Sequence, residues 1–295
     1  MLYLIIAALF TSLQMVFTKY FQLKIPVGLK TSVMFSGMVA LAATFYFGIL
    51  CGFNLQPTLY SLACAIAISL MTIIMNALGI KALSLGSITM YSVFMMLGGM
   101  VLPFVYGLLV LNENSSVGMF AGLGLISVTL ALPLMSRKGN SVGNKGFYWL
   151  CLAVFCLNGG ISVVAKTHQI NPAAMETTRF LALQSAIQVM LSLLVFGVLC
   201  WRDRKKGNTD VRKMRDLRIA GASVGAALFS GTAYWLYMIT AKTLSASILF
   251  PLLTGMTILA TMVIGFIIYK EKPTKIVFIE IILVIISLVL FSNVI

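Results

Sequence analysis

Residues 136–146, SRKGNSVGNKG, form the polar break on which the reading of the fold turns. Five apolar runs precede it, at 2–18, 32–50, 58–79, 86–110 and 117–135. Five follow it, at 147–165, 176–200, 219–239, 244–269 and 275–292. Most reach the roughly 20 residues that a helix needs to cross a bilayer core. Backbone polar groups in lipid must pair within their own segment, so runs of this length predict helices, and the short alternating segments of a barrel strand are missing. An odd number of spans on each side of the break turns the second set upside down relative to the first. The expected fold is an all-α polytopic membrane protein with ten transmembrane helices in two inverted five-helix repeats, residues 1–135 and 147–295, joined by a cytoplasmic linker at 136–146.

Composition agrees with this reading. The 295 residues are 60% apolar and 9% charged, whereas a water-facing exterior is about a quarter charged or more. The first run starts without a basic leader and reaches Phe17-Thr18-Lys19 with no small-residue cleavage site, so it is expected to be a retained helix. Cys51, Cys64, Cys151, Cys156 and Cys200 have no metal-ligand spacing and are expected to pack as small apolar residues. No metal or other cofactor is expected.

The formal charge of +14 is distributed unevenly. Counting loops alternately, one side receives Lys19, Lys24, Lys30, Lys81, Arg137, Lys138, Lys145, the cluster at 201–218, and Lys270, Lys272 and Lys275. The other side has Lys166 and Lys242, with Arg179 near a helix end. The positive-inside rule then makes the basic loops cytoplasmic and both termini external, in a bacterial-type cytoplasmic membrane. The cluster at 201–218, WRDRKKGNTDVRKMRDLR, is expected to meet anionic headgroups. It is too short for a nucleic-acid-binding domain, so the expected partners are membrane lipids and a small molecule. Monomer and homodimer both stay open.

The two halves share ordered fragments. Leu9-Phe10 through Lys19 parallels Val154-Phe155 through Lys166. Leu83-Ser84-Leu85-Gly86-Ser87 parallels Leu244-Ser245-Ala246-Ser247, and the same two runs finish at Asn112-Glu113 and Lys270-Glu271. With Pro251 and Arg179, this order over the whole chain resembles the drug/metabolite transporter superfamily, in its EamA-type ten-helix branch. Val93 and Met34 stand at the first-half positions that match Pro251 and Arg179. The resemblance implies secondary transport of a small metabolite through a central cavity between the halves, by alternating access. An amino acid or an amine is the foremost expectation, a broad-specificity drug exporter the alternative, and a channel a third reading. No nucleophile, metal or phosphate-binding motif points to an enzyme or an ATPase.

Polar groups that lipid would reject mark the expected substrate path. Gln14 and Asn158 occupy related places in the two halves, Asn158 being followed by Gly159-Gly160, which either bend the helix or pack it tightly. Asn76, Tyr91, Gln184, Gln188, Tyr234 and Tyr237 complete the candidate substrate-binding set. Gln184 and Gln188 share a stripe, and the tyrosines form either an aromatic wall or an interfacial belt. Glu176 and Arg179 have the spacing of an ion pair, which would close or anchor the outer end. Glu280, alone among isoleucines, is a proton-coupling or structural acid. His168 is expected in a solvated outer loop, 166–169, and Glu113 and Glu271 at helix ends.

Overall fold

The computed structural model describes residues 1–25, 28–136, 145–204, 217–268, 270 and 275–292. The linker residues Arg137 and Lys138, the basic residues Lys205, Lys206, Arg212, Lys213 and Arg215, and Glu271 and Lys272 lie outside these. The described residues form α1 (Leu2–Lys24), α2 (Leu29–Leu50), α3 (Leu59–Leu85), α4 (Ile88–Leu109), α5 (Val117–Ser136), α6 (Lys145–Ile170), α7 (Thr177–Arg204), α8 (Leu217–Thr240), α9 (Ala246–Ile268) and α10 (Lys275–Ser292). Eight of these helices, all but α5 and α10, are long and apolar enough to cross a membrane by length and composition. The outward faces are apolar too, with Leu193 at 65% and Ile267 at 71% exposure. Only a lipid surround makes such faces favourable.

Helix ends follow local chemistry. Ahead of Pro26, Ile25 is extended at φ −127°, ψ 133°, as steric clash with a following proline ring demands. At the start of α3, Thr58 accepts a hydrogen bond from Ser61 N at 3.2 Å, the usual N-cap arrangement. The expected loop at 166–169 is corrected. Those residues continue α6 up to Ile170, and the chain leaves the helix just before Pro172. An exposed loop was read from their polarity, but they are polar because their partners are buried.

The two halves interlock. α1 packs on α8 and α9, and α6 packs on α3 and α4. α2 lies along α7, α5 along α10, and α4 crosses α9. Phe10 and Phe17 meet Phe229 at ring distances of 5.3 and 5.5 Å, fastening α1 to α8. α4 and α6 cross with close backbone approach at two glycines. A side chain at Gly98 would run into the backbone of Phe155, and one at Gly159 into Leu102 and the carbonyl of Gly98. Asn158 Nδ2 donates to Met95 O at 2.7 Å beside this contact. Gly159 is therefore a packing residue, the second of the two readings that its sequence allowed.

The turns 51–58, 110–116, 171–176 and 241–245 gather on one face, the second and fourth joined where Glu113 bonds the α9 start and the first and third by the bonds that follow. Arg179 Nη1 at the α7 start donates to Gln56 Oε1 at 2.7 Å, Thr58 Oγ1 to Ala173 O at 2.9 Å, and Met175 N to Ser61 Oγ at 2.9 Å. The α1–α2 turn lies at the other ends of these helices.

Candidate functional site

A cavity of about 410 Å³ lies between α1, α2, α3, α7, α8 and α9. Gln14 and Thr11 reach it from α1, Ser36 from α2, Thr72 from α3, Gln184 and Gln188 from α7, and Tyr234 and Tyr237 from α8. On α1, α7 and α8 these polar groups recur at three- or four-residue spacing, so one stripe faces inward while the remaining circumference faces neighbours or lipid. A second space of about 300 Å³ shares Gln14 and Ser36 and continues past Asn76, Thr18, Thr31 and Ser32 toward the α1–α2 turn. Every described side chain lining either space is uncharged.

Inside the cavity the polar groups are only partly satisfied. Gln14 Nε2 donates to Thr18 Oγ1 at 3.0 Å, and Gln188 Nε2 donates to Ser36 Oγ across a long 3.4 Å. Gln184 Oε1 and the Tyr234 hydroxyl are buried without a hydrogen-bond partner. Tyr234 and Tyr237 pack ring on ring, 5.2 Å between centroids. Of the two readings for these tyrosines, the cavity wall is the one that matches their position, since Tyr237 is 5% exposed. Trp235 between them turns away and donates from Nε1 to Thr178 Oγ1 at 3.1 Å, tying α8 to α7.

Five of the expected residues thus line the cavity, Gln14, Gln184, Gln188, Tyr234 and Tyr237, and Asn76 lines the second space beside it. Two line neither. Asn158 holds the α4–α6 crossing, and Tyr91 packs its hydroxyl on Gly79, in the cluster around Phe147 and Cys151. Thr11, Ser36, Ser185 and Ser230 also line the cavity. The available signal was small hydroxyl residues one turn from a marked residue, as Thr11 stands to Gln14. Glu280 is buried on α10, which packs on α5 and α9, and lines neither space.

The face opposite the α1–α2 turn is closed by buried polar chemistry that the sequence concealed. Lys166 is only 4% exposed, and its ammonium donates to the carbonyls of Ala241 and Leu244, each at 2.7 Å. Glu113 comes from the other half of the chain and acts on the same turn. Its Oε1 accepts from Ala246 N at 2.6 Å and its Oε2 from Ser247 N at 2.8 Å, capping α9 with a carboxylate. A negative group there also complements the positive end of the helix. Asn112 in the left-handed region, φ 52°, folds the chain back so that Glu113 N bonds Gly107 O at 3.0 Å. Asparagine tolerates that conformation better than most residues. Glu113 is thus a helix-end residue, but the end it serves is that of α9, far along the chain. A methyl group at Gly107 would strike Glu113 Oε2 and approach Ser247 N at 3.1 Å. Gly107→Ala should therefore mimic the loss of Glu113 by displacing its carboxylate, with similar shifts in the melting temperature of both variants.

His168 is a second buried member of this face, fully enclosed rather than solvated. Its Nε2 lies 3.0 Å from Ser61 Oγ and its Nδ1 3.0 Å from Gln169 Nε2, with Phe180 stacked at 3.7 Å. Gln169 donates to Nδ1, so the ring is neutral and gives its Nε2 proton to Ser61. Ser61 Oγ also accepts from Met175 N, joining α3, α6 and the α7 entry in one network. Ser61→Ala removes the acceptor for two buried donors, at about 1–3 kcal/mol each. The expected result is a clear drop in the melting temperature of the detergent-solubilised protein, and an unchanged melting curve contradicts it. By contrast the Glu176–Arg179 pair, 3.3 Å apart, sits at the rim with Glu176 60% exposed, and Glu176 precedes α7 rather than opening it. Such a surface pair contributes about 0–1 kcal/mol.

Among the described residues no three His, Cys, Asp or Glu side chains come together as a metal site. No curated protein sequence matches the chain significantly. A crystal structure of a protein with 16% sequence identity aligns over 99% of this chain and 96% of its own, with a TM-score of 0.79, a likeness of fold. The model of the EamA-like transporter family matches residues 144–293, half of the chain. This polytopic helical membrane protein therefore belongs to the EamA-like transporter family.

Proposed function

We propose that this chain is a secondary carrier for a small polar or amphipathic metabolite, working by alternating access between two inverted repeats. The observation that carries the reading is a cavity lined in part by polar side chains, with a second space beside it toward one face, while buried Lys166 and partly buried Glu113 fasten the α8–α9 turn at the opposite face. An open passage would need both ends free at once.

The packing supports the repeat. Exchanging α1–α5 for α6–α10 turns the pairs α1·α8 and α1·α9 into α6·α3 and α6·α4, and turns α2·α8 into α7·α3, all of which occur. Asn112 and Lys270, the matched residues ahead of Glu113 and Glu271, share φ 52°. With the basic loops cytoplasmic and both termini external, the cavity in this arrangement communicates with the cytoplasmic side. Rocking of the halves would release the α8–α9 turn from Lys166 and Glu113 and close the α1–α2 side.

In this reading Gln14, Asn76, Gln184, Gln188, Tyr234 and Tyr237 contact substrate, and Glu176–Arg179 anchors the outer rim. An amino acid and a free amine differ in the countercharge they would require, and the lining is uncharged. Proton coupling through Glu280 would have to reach the cavity across α9. Glu280→Gln should therefore leave exchange within about twofold of wild type, with or without a pH gradient. A larger loss that depends on the gradient restores Glu280 as a coupling site.

Sealed proteoliposomes test the function. Saturable counterflow without ATP is the expected result, and conductive flux that does not saturate would make the protein a channel instead.

A further inference from the structure

We infer, on top of the carrier reading, that the substrate is a net-uncharged molecule bearing an amide, lactam or ureide edge on a flat ring, rather than a free amine or carboxylate. The polar groups of the cavity set two complementary demands. Gln184 Oε1 is a buried acceptor with no donor, and the Tyr234 hydroxyl is a buried donor with no acceptor. Each is costly in the empty site, and each is met by one half of an amide edge, the N–H facing Gln184 and the C=O facing Tyr234. Charge points the same way. A buried ammonium needs a countercharge or several acceptors and a buried carboxylate a countercharge or several donors, and the polar groups of the described lining are neutral carboxamides and hydroxyls.

Shape narrows the class further. The Tyr234–Tyr237 ring pair and the nearly fully buried Phe47 give the cavity flat apolar walls. Aromatic walls beside a glutamine form the chemistry that grips a planar heterocycle by its face and reads its edge. A space of about 410 Å³ holds a single- or double-ring molecule with room for water.

Three probes of nearly one shape separate the charges: nicotinamide, neutral; nicotinate, an anion; and 1-methylnicotinamide, a cation. Uracil adds a second neutral lactam, and phenylalanine supplies a zwitterion. Purified protein is assayed by ligand-induced thermal shift, and proteoliposomes by counterflow and competition. The neutral amides should bind and compete roughly tenfold or more better than the charged probes, because nicotinate offers Gln184 no N–H and 1-methylnicotinamide brings a charge that the uncharged lining does not balance. Gln184→Leu should abolish that preference. Gln184→Glu, of the same size, should weaken nicotinamide and admit 1-methylnicotinamide, a gain that a merely misfolded variant cannot give. Preference for any charged probe, or an unchanged ranking in both variants, overturns the inference while saturable flux leaves the carrier intact. Neutral amides that neither bind nor compete against a compound shown to be carried overturn it equally. If nothing is carried saturably, the carrier reading falls, and the inference with it.

Discussion

Gly98→Ala is expected to prevent the protein from folding stably. Helices in lipid gain little from hydrophobic burial against each other, and hold together by close backbone approach at small residues. At this crossing the added carbon would lie 2.7 Å from the Phe155 carbonyl carbon, and the obstacle is backbone rather than a side chain that can rotate away. α4 and α6 would have to separate, loosening the reciprocal Gly159 contact and the Asn158–Met95 bond together. Overpacking of this sort costs about 3 kcal/mol or more when neither neighbour can yield. Gly124→Ala on α5 is the matched control, with open space around the new methyl, and helix propensity alone favours alanine there. The yield of monodisperse protein and its melting temperature check the pair. A Gly98→Ala protein as stable as Gly124→Ala contradicts the packing described.

Lys166→Met is expected to open the face that Lys166 now closes. Methionine fills much of the same volume but leaves the Ala241 and Leu244 carbonyls without their charged donor. Charge-assisted bonds of this type contribute about 1.5–3 kcal/mol. In the proposed alternating cycle, losing them only in the state closed at this face shifts the balance toward the state open there by roughly 10- to 100-fold. Glu113→Gln, which keeps one acceptor but loses the charge at the α9 start, should move the same way by less. Transport turnover should fall in both variants, because a carrier held on one side cycles slowly. Substrate affinity measured from the outer face should rise. Equal loss of affinity from both faces would mean that Lys166 supports the fold without gating it.

The fold was legible because lipid imposes one rule on the whole exterior. All ten helices fell within or near the runs of apolar sequence, and the breaks coincided with short polar, glycine- or proline-containing turns or with charge clusters. The cavity was legible in part for the same reason: Gln14, Gln184 and Gln188 have no place on a lipid face. Tyr91 and Asn158 fit the same rule and yet lie elsewhere, since a helix–helix contact shelters a polar group as well as a cavity does. The bonding at the face opposite the α1–α2 turn stayed hidden. Lys166 and His168 read as loop residues because a charge beside a helix end is normally solvated. Their burial is made favourable chiefly by distant partners, the Ala241 and Leu244 carbonyls and the Ser61 hydroxyl, which nothing in the local sequence announces.

Ser36 lines both the cavity and its extension toward the α1–α2 turn, so it reports which face reaches the substrate path. The direct measurement is labelling of Ser36→Cys, in a cysteine-free background, by an impermeant maleimide applied to each side of sealed, oriented vesicles. Labelling from the basic-loop side in the otherwise unaltered protein, moving to the opposite side once Lys166→Met is added, is the predicted result. Labelling from both sides at once in the unaltered protein, or from the same side in both proteins, would contradict a carrier that alternates between two faces.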